Sequence, residues 1–290
     1  MKQDLSIGNK IFDGLNYLIL IIIGLVTVFP FIYIVAVSFT DASEVIKGGI
    51  ILFPKKFSLT AYEYIFSTNT LLRSLGVSIY ITVVGTFINL VVTSLMAYPL
   101  ARATLQGRQV ILFGVLFTML FSGGMIPTYF VVKALGLTNS LWSLMIPSAV
   151  SAFNLIVLKN FFQQIPDGLE DSAKIDGCND VGILFRIILP LSMPAMATFS
   201  LFYAVSHWNT FFNAILYIND NKLWPVQVLL REIVMLAQTR IGDNGFDEAM
   251  IQPQTIRMAV IVFATLPILL VYPFLQKHFA KGVLLGSVKG

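Results

Sequence analysis

Long apolar stretches separated by shorter polar ones make up most of the chain. A helix that crosses a bilayer needs about 20 predominantly apolar residues. Six stretches meet this requirement: residues 15–38, 74–100, 110–132, 141–160, 187–212 and 256–276. Glycine and proline recur inside them, as membrane-spanning helices tolerate. The pattern predicts an all-α polytopic membrane protein, a single domain over residues 1–290 with six transmembrane helices.

The composition also indicates a membrane protein. Of the 290 residues, 57% are hydrophobic and 12% are charged, whereas soluble domains carry about 25% charged residues. The net charge of +4 is small and reflects membrane topology rather than nucleic-acid binding. Membrane lipid is therefore an expected partner and nucleic acid is not. The first apolar stretch exceeds the roughly 7–15 residues of a signal-peptide core, so we expect it to be retained as a span.

Basic residues in the short loops indicate the orientation. Arg102 and Arg108 lie in one such loop, whereas residues 133–140 hold only Lys133. Because positively charged short loops stay on the cytoplasmic side, both termini are expected inside, an N-in/C-in topology. The other loops are then assigned as follows: cytoplasmic segments 161–186 and 277–290, and extracytoplasmic segments 39–73 and 213–257.

A polar insert, EDSAKIDGCNDVGILFRIILP at residues 170–190, interrupts the apolar pattern. Its first part belongs to a predicted short helix over residues 167–177. Asp167 is expected to cap the start of this helix, with Glu170 reaching back in an acidic variant of the capping box. Gly177 stands where a left-handed residue would end the helix.

The second part of the insert predicts another helix. Asn179 or Asp180 is expected to cap its start. The helix then runs apolar from Val181 until Pro190 kinks it on entering the membrane. Taken alone, this pattern also fits an ordinary cytosolic loop with well-capped helices.

The spacing within the insert resembles the "EAA" loop of ATP-binding-cassette (ABC) importer permeases. The family pattern is Glu-Ala-Ala, then Gly, then a downstream Ile-x-Leu-Pro. The matching residues are Glu170-Asp171-Ser172-Ala173, Asp176-Gly177 and Ile187-Ile188-Leu189-Pro190-Leu191, with Asp171-Ser172 replacing the alanine pair. The resemblance implies a set of ATPase-coupling residues: Glu170, Asp171, Ala173, Asp176, Gly177, Leu189 and Pro190.

The resemblance also implies roles for these residues. In that family the helix docks into a cleft of a separate ATPase subunit and carries its closing motion to the spans. Glu170 would offer a carboxylate to a basic partner, Ala173 would permit close packing, and Gly177 would form the elbow. Leu189 and Pro190 would anchor the return of the chain to the membrane.

The resemblance extends over nearly the whole chain. Residues 121–147 are similar to the third and fourth spans of sugar-importer permeases of the maltose-permease class, in the branch that takes oligosaccharides. The final KHFAKGVLLGSVKG is similar to the tail that inserts between two ATPase subunits in that class. Docking is implied for Gly286, Ser287, Val288 and Lys289. The alternative is a basic juxtamembrane stop, which would carry lysines in any case.

The implied assembly follows from this class. The chain would have the type I ABC importer permease fold and lie in the bacterial cytoplasmic membrane. Its partners would be a second homologous permease, two ATPase subunits and an extracytoplasmic sugar-binding protein, which loop 213–257 would contact. The ATPase would bind ATP and magnesium, so no cofactor is expected in this chain.

The chain lacks the motifs of an enzyme. No GxxxxGK[ST] phosphate loop occurs, so ATP hydrolysis is assigned to a partner. His207 and His278 are far apart and Cys178 is the only cysteine, which leaves no ligand spacing for a metal site. Residues 121–125, FSGGM, faintly resemble an ABC signature but are predicted to form a flexible break within a span.

Polar residues inside the predicted spans are candidates for a transport pathway. The main group occurs in YAVSHWNTFFN: Tyr203, Ser206, His207, Trp208, Asn209 and Asn213. Aromatic rings beside amide and imidazole groups suit sugars, which have apolar faces and hydroxyl edges. Further candidates are Asn89, Tyr129 and Asn154. For Tyr203 and Trp208, the alternative is membership of the interfacial aromatic belt.

Two other functional classes are compatible with the hydrophobicity. A secondary transporter driven by an ion gradient would need an ionisable residue at mid-membrane depth, and only His207 qualifies. A membrane scaffold or receptor subunit gives no reason for the spacing from Glu170 to Pro190. The sequence therefore favours an ABC importer permease.

Overall fold

The computed structural model describes residues 7–67, 69–239 and 253–287. Within these residues the regular secondary structure is helical, and extended pairing is limited to an isolated bridge between Thr40 and Phe57. The all-α prediction is confirmed. The described residues form two compact units, one of residues up to Asn69 with Leu230–Thr265, the other of Thr70–Leu229 with residues from Leu266 onward.

The helices are numbered in chain order. The first eight are α1 (Ile7–Ser38), α2 (Ala42–Ile46), α3 (Thr60–Ser67), α4 (Asn69–Ala101), α5 (Arg108–Leu120), α6 (Met125–Ala134), α7 (Trp142–Met145) and α8 (Ala152–Phe162). They are followed by α9 (Asp167–Ile175), α10 (Asp180–Ile183), α11 (Leu189–Leu191), α12 (Met193–Trp208), α13 (Phe212–Tyr217), α14 (Val226–Thr239) and α15 (Pro253–Ser287). A π-helix joins α10 to α11 (Leu184–Ile188), and a 3-10 turn follows α13 (Asn221–Leu223).

Several helices are long and apolar enough to cross a membrane. Among the described residues these are Lys10–Ser38, Asn69–Ala101 and Gln254–Val271. Two bent pairs also qualify if each counts as one span: α5 with α6, bent by 119°, and α10–α11 with α12, bent by 87°. The bend between α5 and α6 falls at residues 121–124, where the sequence predicts a break.

The predicted span 141–160 is divided in the structure. It contains the four-residue α7 and the eleven-residue α8, separated by residues 146–151. Pro147 lies in this gap and cannot donate a backbone hydrogen bond, so it favours an interruption. Neither helix alone is long enough to cross a bilayer. The count of six spans and the N-in/C-in topology stay predictions.

The first unit includes an ordered segment after α1. The ring of Phe39 stacks on Phe57 and Tyr62, with centroids 5.5 and 4.9 Å apart. The Glu44 carboxylate accepts hydrogen bonds from the backbone N–H groups of Lys55 and Lys56. Loop 39–73 is therefore a folded structure over its described residues.

Helix α4 buries a row of small and polar residues within the second unit. Small and polar residues are buried along it at intervals of three or four, among them Ser78, Gly85, Asn89, Thr93 and Ala97. Small side chains let neighbouring membrane helices approach closely. This stripe places the polar groups of α4 against other elements of the same unit, while its last turns join the largest apolar cluster.

Candidate coupling helix and transport pathway

The start of the coupling helix, α9, differs from the prediction. Pro166 occupies the N-cap position and Asp167 is the first helical residue, with no side-chain cap. The predicted capping box is wrong because Asp167 lies inside the helix rather than at the N-cap. The residue at the N-cap is a proline, which has no backbone N–H for the Glu170 side chain to bind. The carboxylates of Asp167 and Glu170 instead face a guanidinium group.

That guanidinium belongs to Arg102, directly after α4. It forms a close ion pair with Glu170, lies 3.3 Å from Asp167, and sits 5.2 Å from the ring centre of Tyr98. The Arg102 and Glu170 side chains are 16% and 6% exposed. The basic partner of Glu170 is thus in the same chain. From the sequence, Arg102 is assigned a role in topology only. The signal that could have identified it is an arginine two positions after a predicted span.

Helix α9 has one buried and one exposed face. Glu170 and Ala173 point inward, and Ala173 joins the apolar cluster that contains Tyr98 and Ala101. Ala173 therefore packs closely within this chain, and its predicted role in docking to an ATPase stays a prediction. On the other face Leu169 is exposed and Ile175 is 86% exposed, beside the exposed polar residues Asp171, Ser172, Lys174 and Asp176. This exposed face is the surface that a separate subunit can contact.

The elbow after α9 has the predicted geometry. Gly177 has φ of 82°, in the left-handed region that glycine adopts without steric cost. Its N–H donates to the carbonyl of Lys174, and the N–H of Cys178 donates to that of Ala173. Asn179 then caps α10, with its Oδ1 accepting from the N–H of Gly182 at 2.7 Å. Asn179 rather than Asp180 is therefore the cap.

Replacing Asn179 with alanine should lower the free energy of unfolding by about 1 kcal/mol, the usual cost of losing an N-cap. The N–H of Gly182 would lose its partner. Asn179→Asp is the matched control because aspartate caps equally well. Melting temperatures of the purified proteins would measure the effect, and equal melting of the alanine and aspartate variants would contradict it.

The return of the chain to the membrane is bent after Pro190 rather than at it. The π-helix Leu184–Ile188 immediately precedes Leu189 and Pro190, and its wider turn accommodates the ring that would clash in an α-helix. The 87° change of direction follows at Ser192, where Pro194 starts a new helix.

The candidate pathway residues Asn89 and His207 are brought together. Nε2 of His207 lies 2.6 Å from Oδ1 of Asn89, which accepts the hydrogen bond. Nδ2 of Asn89 donates to the carbonyl of Ser148 at 2.5 Å. Asn89 is fully buried and His207 is 4% exposed. The imidazole lies against Gly85, where an added Cβ would be 2.6 Å from Nε2.

Tyr203 joins this arrangement one turn before His207 in α12. Its hydroxyl shares a hydrogen bond of 2.8 Å with Thr93 and accepts one from the N–H of Ser151 at 3.3 Å. Burial of Tyr203 does not fit the aromatic-belt alternative. We define the polar network as Asn89, Thr93, Ser148, Ser151, Tyr203 and His207. It connects α4 and α12 to the gap between α7 and α8.

The other pathway candidates lie elsewhere. Trp208 is buried and lines an apolar cavity of about 280 Å³. Asn209 and Asn213 are exposed, and the Asn209 amide donates to the carbonyl of Val205. Tyr129 stacks on Tyr217 with ring centres 6.2 Å apart. The remaining two candidates are Asn154, buried in the first turn of α8, and Ser206, exposed on α12.

The predicted docking tail is only partly described. The backbone of Gly286 and Ser287 ends α15, whereas Val288 and Lys289 lie outside the described residues. Its docking stays a prediction.

Comparisons with known proteins show the family of this chain. The family "Binding-protein-dependent transport system inner membrane component" matches residues 104–285. The chain is 59% identical to the polygalacturonan/rhamnogalacturonan transport system permease protein YtcP of Bacillus subtilis (97% of this chain, 99% of that protein), and 56% identical to protein LplC of Bacillus subtilis (98% and 96%).

A solved structure is similar as well. A chain in the crystal structure of a bacterial ABC transporter involved in the import of the acidic polysaccharide alginate superposes with a TM-score of 0.87 and 31% identity, covering 94% of this chain and 98% of that one. The ABC importer permease fold is confirmed. The chain belongs to the family of inner membrane components of binding-protein-dependent transport systems.

Proposed function

We propose that the chain is a permease subunit of an ATP-driven importer whose substrate is an oligosaccharide rich in uronic acids. The observation that carries the coupling is α9, anchored through Glu170 and Ala173 and exposed on its opposite face. The substrate class is supported by the names of two similar proteins, one for polygalacturonan/rhamnogalacturonan transport and one for alginate import.

Family membership implies that an ATPase and a substrate-binding protein are partners. The finer assembly is a second homologous permease beside this chain, two ATPase copies that bind ATP and magnesium, and the binding protein on the extracytoplasmic side. This chain has no phosphate-binding loop, so ATP hydrolysis takes place in the partner. Closure of the ATPases would move α9 and thereby switch the spans between inward- and outward-facing states.

Gly177→Asp should uncouple ATP hydrolysis from uptake while the protein stays in the membrane. A non-glycine residue at φ of 82° costs roughly 1–2 kcal/mol, so the elbow would shift the angle between α9 and α10. Gly168→Ala is the control, because this α9 glycine has no atom near an added Cβ. The measurement is sugar taken up per ATP hydrolysed. Wild-type uptake per ATP in Gly177→Asp would count against a coupling role of the elbow.

Affinity purification from native membranes tests the assembly. The tagged chain should elute with an ATPase and a second permease, and the ATPase should be lost when Leu169 and Ile175 on the exposed face are both changed to aspartate. A chain recovered without an ATPase that still transports under an ion gradient would establish the secondary-transporter alternative instead.

A further inference from the structure

Motion of α9 can reach the rest of the second unit along the chain, through α8 before it or α10 after it, or across side-chain contacts. The covalent route through the residues after α9 is bent at several points. It passes the Gly177 elbow, the π-helix Leu184–Ile188 and the 87° bend at Ser192 before reaching α12. Each of these is a departure from straight helix geometry, and such points can act as hinges.

Another route is the side-chain contact between α9 and the end of α4. Helix α4 runs from Asn69 to Ala101 with Pro99 in its last turn, and Arg102 follows it directly. The Arg102 guanidinium binds the carboxylates of Glu170 and Asp167 while resting on Tyr98 of α4 itself. Because a guanidinium has donors in a fixed planar fork, such a contact restricts both distance and orientation.

Contact between α9 and the end of α4 is local. Ala173 packs in the same apolar cluster as Tyr98 and Ala101. Beside this contact lies an open groove of about 770 Å³, which is lined by α4, α9 and α10 and reaches the Arg102–Glu170 pair. The ion pair is therefore the polar link across the groove.

Further from Arg102, in its middle turns, α4 contributes Asn89 and Thr93 to the polar network. Asn89 lies twelve residues before Ala101, roughly 18 Å along the helix axis at 1.5 Å per residue. Through Asn89 and Thr93, α4 holds His207, Tyr203 and the gap between α7 and α8. A displacement of α4 would therefore reach the interior of the predicted pathway directly.

We infer that Arg102 is a positioning residue that fastens α9 to α4, so that α4 carries the movement of the coupling helix to the polar network. This inference rests on the proposed function, since it names the element through which that function is transmitted. Arg102 acts through Glu170 and needs no contact with sugar or ATP.

Arg102→Gln tests the role of the guanidinium. The assembled importer should still hydrolyse ATP, while uptake per ATP falls severalfold. Arg186→Gln is the control, because Arg186 is likewise an arginine of a predicted cytoplasmic segment but is exposed on the π-helix. Unchanged uptake per ATP in Arg102→Gln would overturn the inference.

Replacing the ion pair with a covalent cross-link tests whether the connection between α9 and α4 is needed for transport, apart from its effect on protein stability. In a Cys178→Ser background, Arg102→Cys with Glu170→Cys should lose uptake, and bridging the two thiols with a short bifunctional reagent should restore it. Complete bridging without restored uptake, in an assembled importer, would overturn the inference. If the wild-type importer itself shows no ATP-dependent uptake, the proposed function fails rather than the role of Arg102.

Discussion

Glu170→Ala should lower the free energy of unfolding by about 3 kcal/mol, near the lower end of the range for removing one partner of a buried ion pair. The Arg102 guanidinium would stay largely buried, at 16% exposure, and lose its closest carboxylate. Asp167 remains 3.3 Å away and limits the loss. Because the same carboxylate anchors α9, uptake per ATP should fall together with stability.

Melting of the purified importer would measure this change. Asp167→Asn is the matched control, since it removes the other carboxylate that faces Arg102. The Asp167 side chain is 87% exposed. Exposed ion pairs contribute at most about 1 kcal/mol. Equal melting temperatures for Glu170→Ala and Asp167→Asn would show that the buried Arg102–Glu170 pair adds no more to the free energy of unfolding than the exposed pair does.

Gly85→Ala should destabilise the protein by about 2–4 kcal/mol, combining overpacking with a buried polar group left unpaired. The added methyl would lie 2.6 Å from Nε2 of His207, so the imidazole has to move. That movement breaks its hydrogen bond to Asn89, which is fully buried.

Gly76→Ala on the same helix is the control, because no atom lies near an added Cβ there. Alanine is the better helix former, so this variant should be neutral or slightly more stable. A double-mutant cycle with His207→Ala identifies the contact: most of the cost of Gly85→Ala should vanish in that background. An unchanged cost would mean that the clash with His207 is not its cause.

The features that the sequence predicts correctly depend on local chemistry. The left-handed Gly177 and the cap at Asn179 follow from neighbouring residues, and the structure contains both. Of the six predicted spans, the described residues contain three single helices and two bent pairs that are long and apolar enough. The spacing from Glu170 to Pro190 carries the family resemblance, and the family is confirmed over residues 104–285.

The features that the sequence does not reveal depend on contacts between distant segments. Arg102 and Glu170 are 68 positions apart, so the capping box, a purely local interpretation, assigned Glu170 the wrong partner. Asn89 and His207 were both candidates, but their pairing over 118 positions and the contact with Gly85 required the packed helices. The 87° bend at Ser192 lies after the π-helix and between Pro190 and Pro194, beyond the kink that the sequence predicts at Pro190.

ATP-dependent uptake into proteoliposomes tests the central claim most directly. The importer would be reconstituted with ATP inside and the binding protein outside, and entry of a labelled galacturonic-acid oligosaccharide would be followed. We expect uptake that requires both ATP and the binding protein and that falls severalfold in Arg102→Gln. Uptake that persists without ATP and follows a proton or sodium gradient would contradict the account.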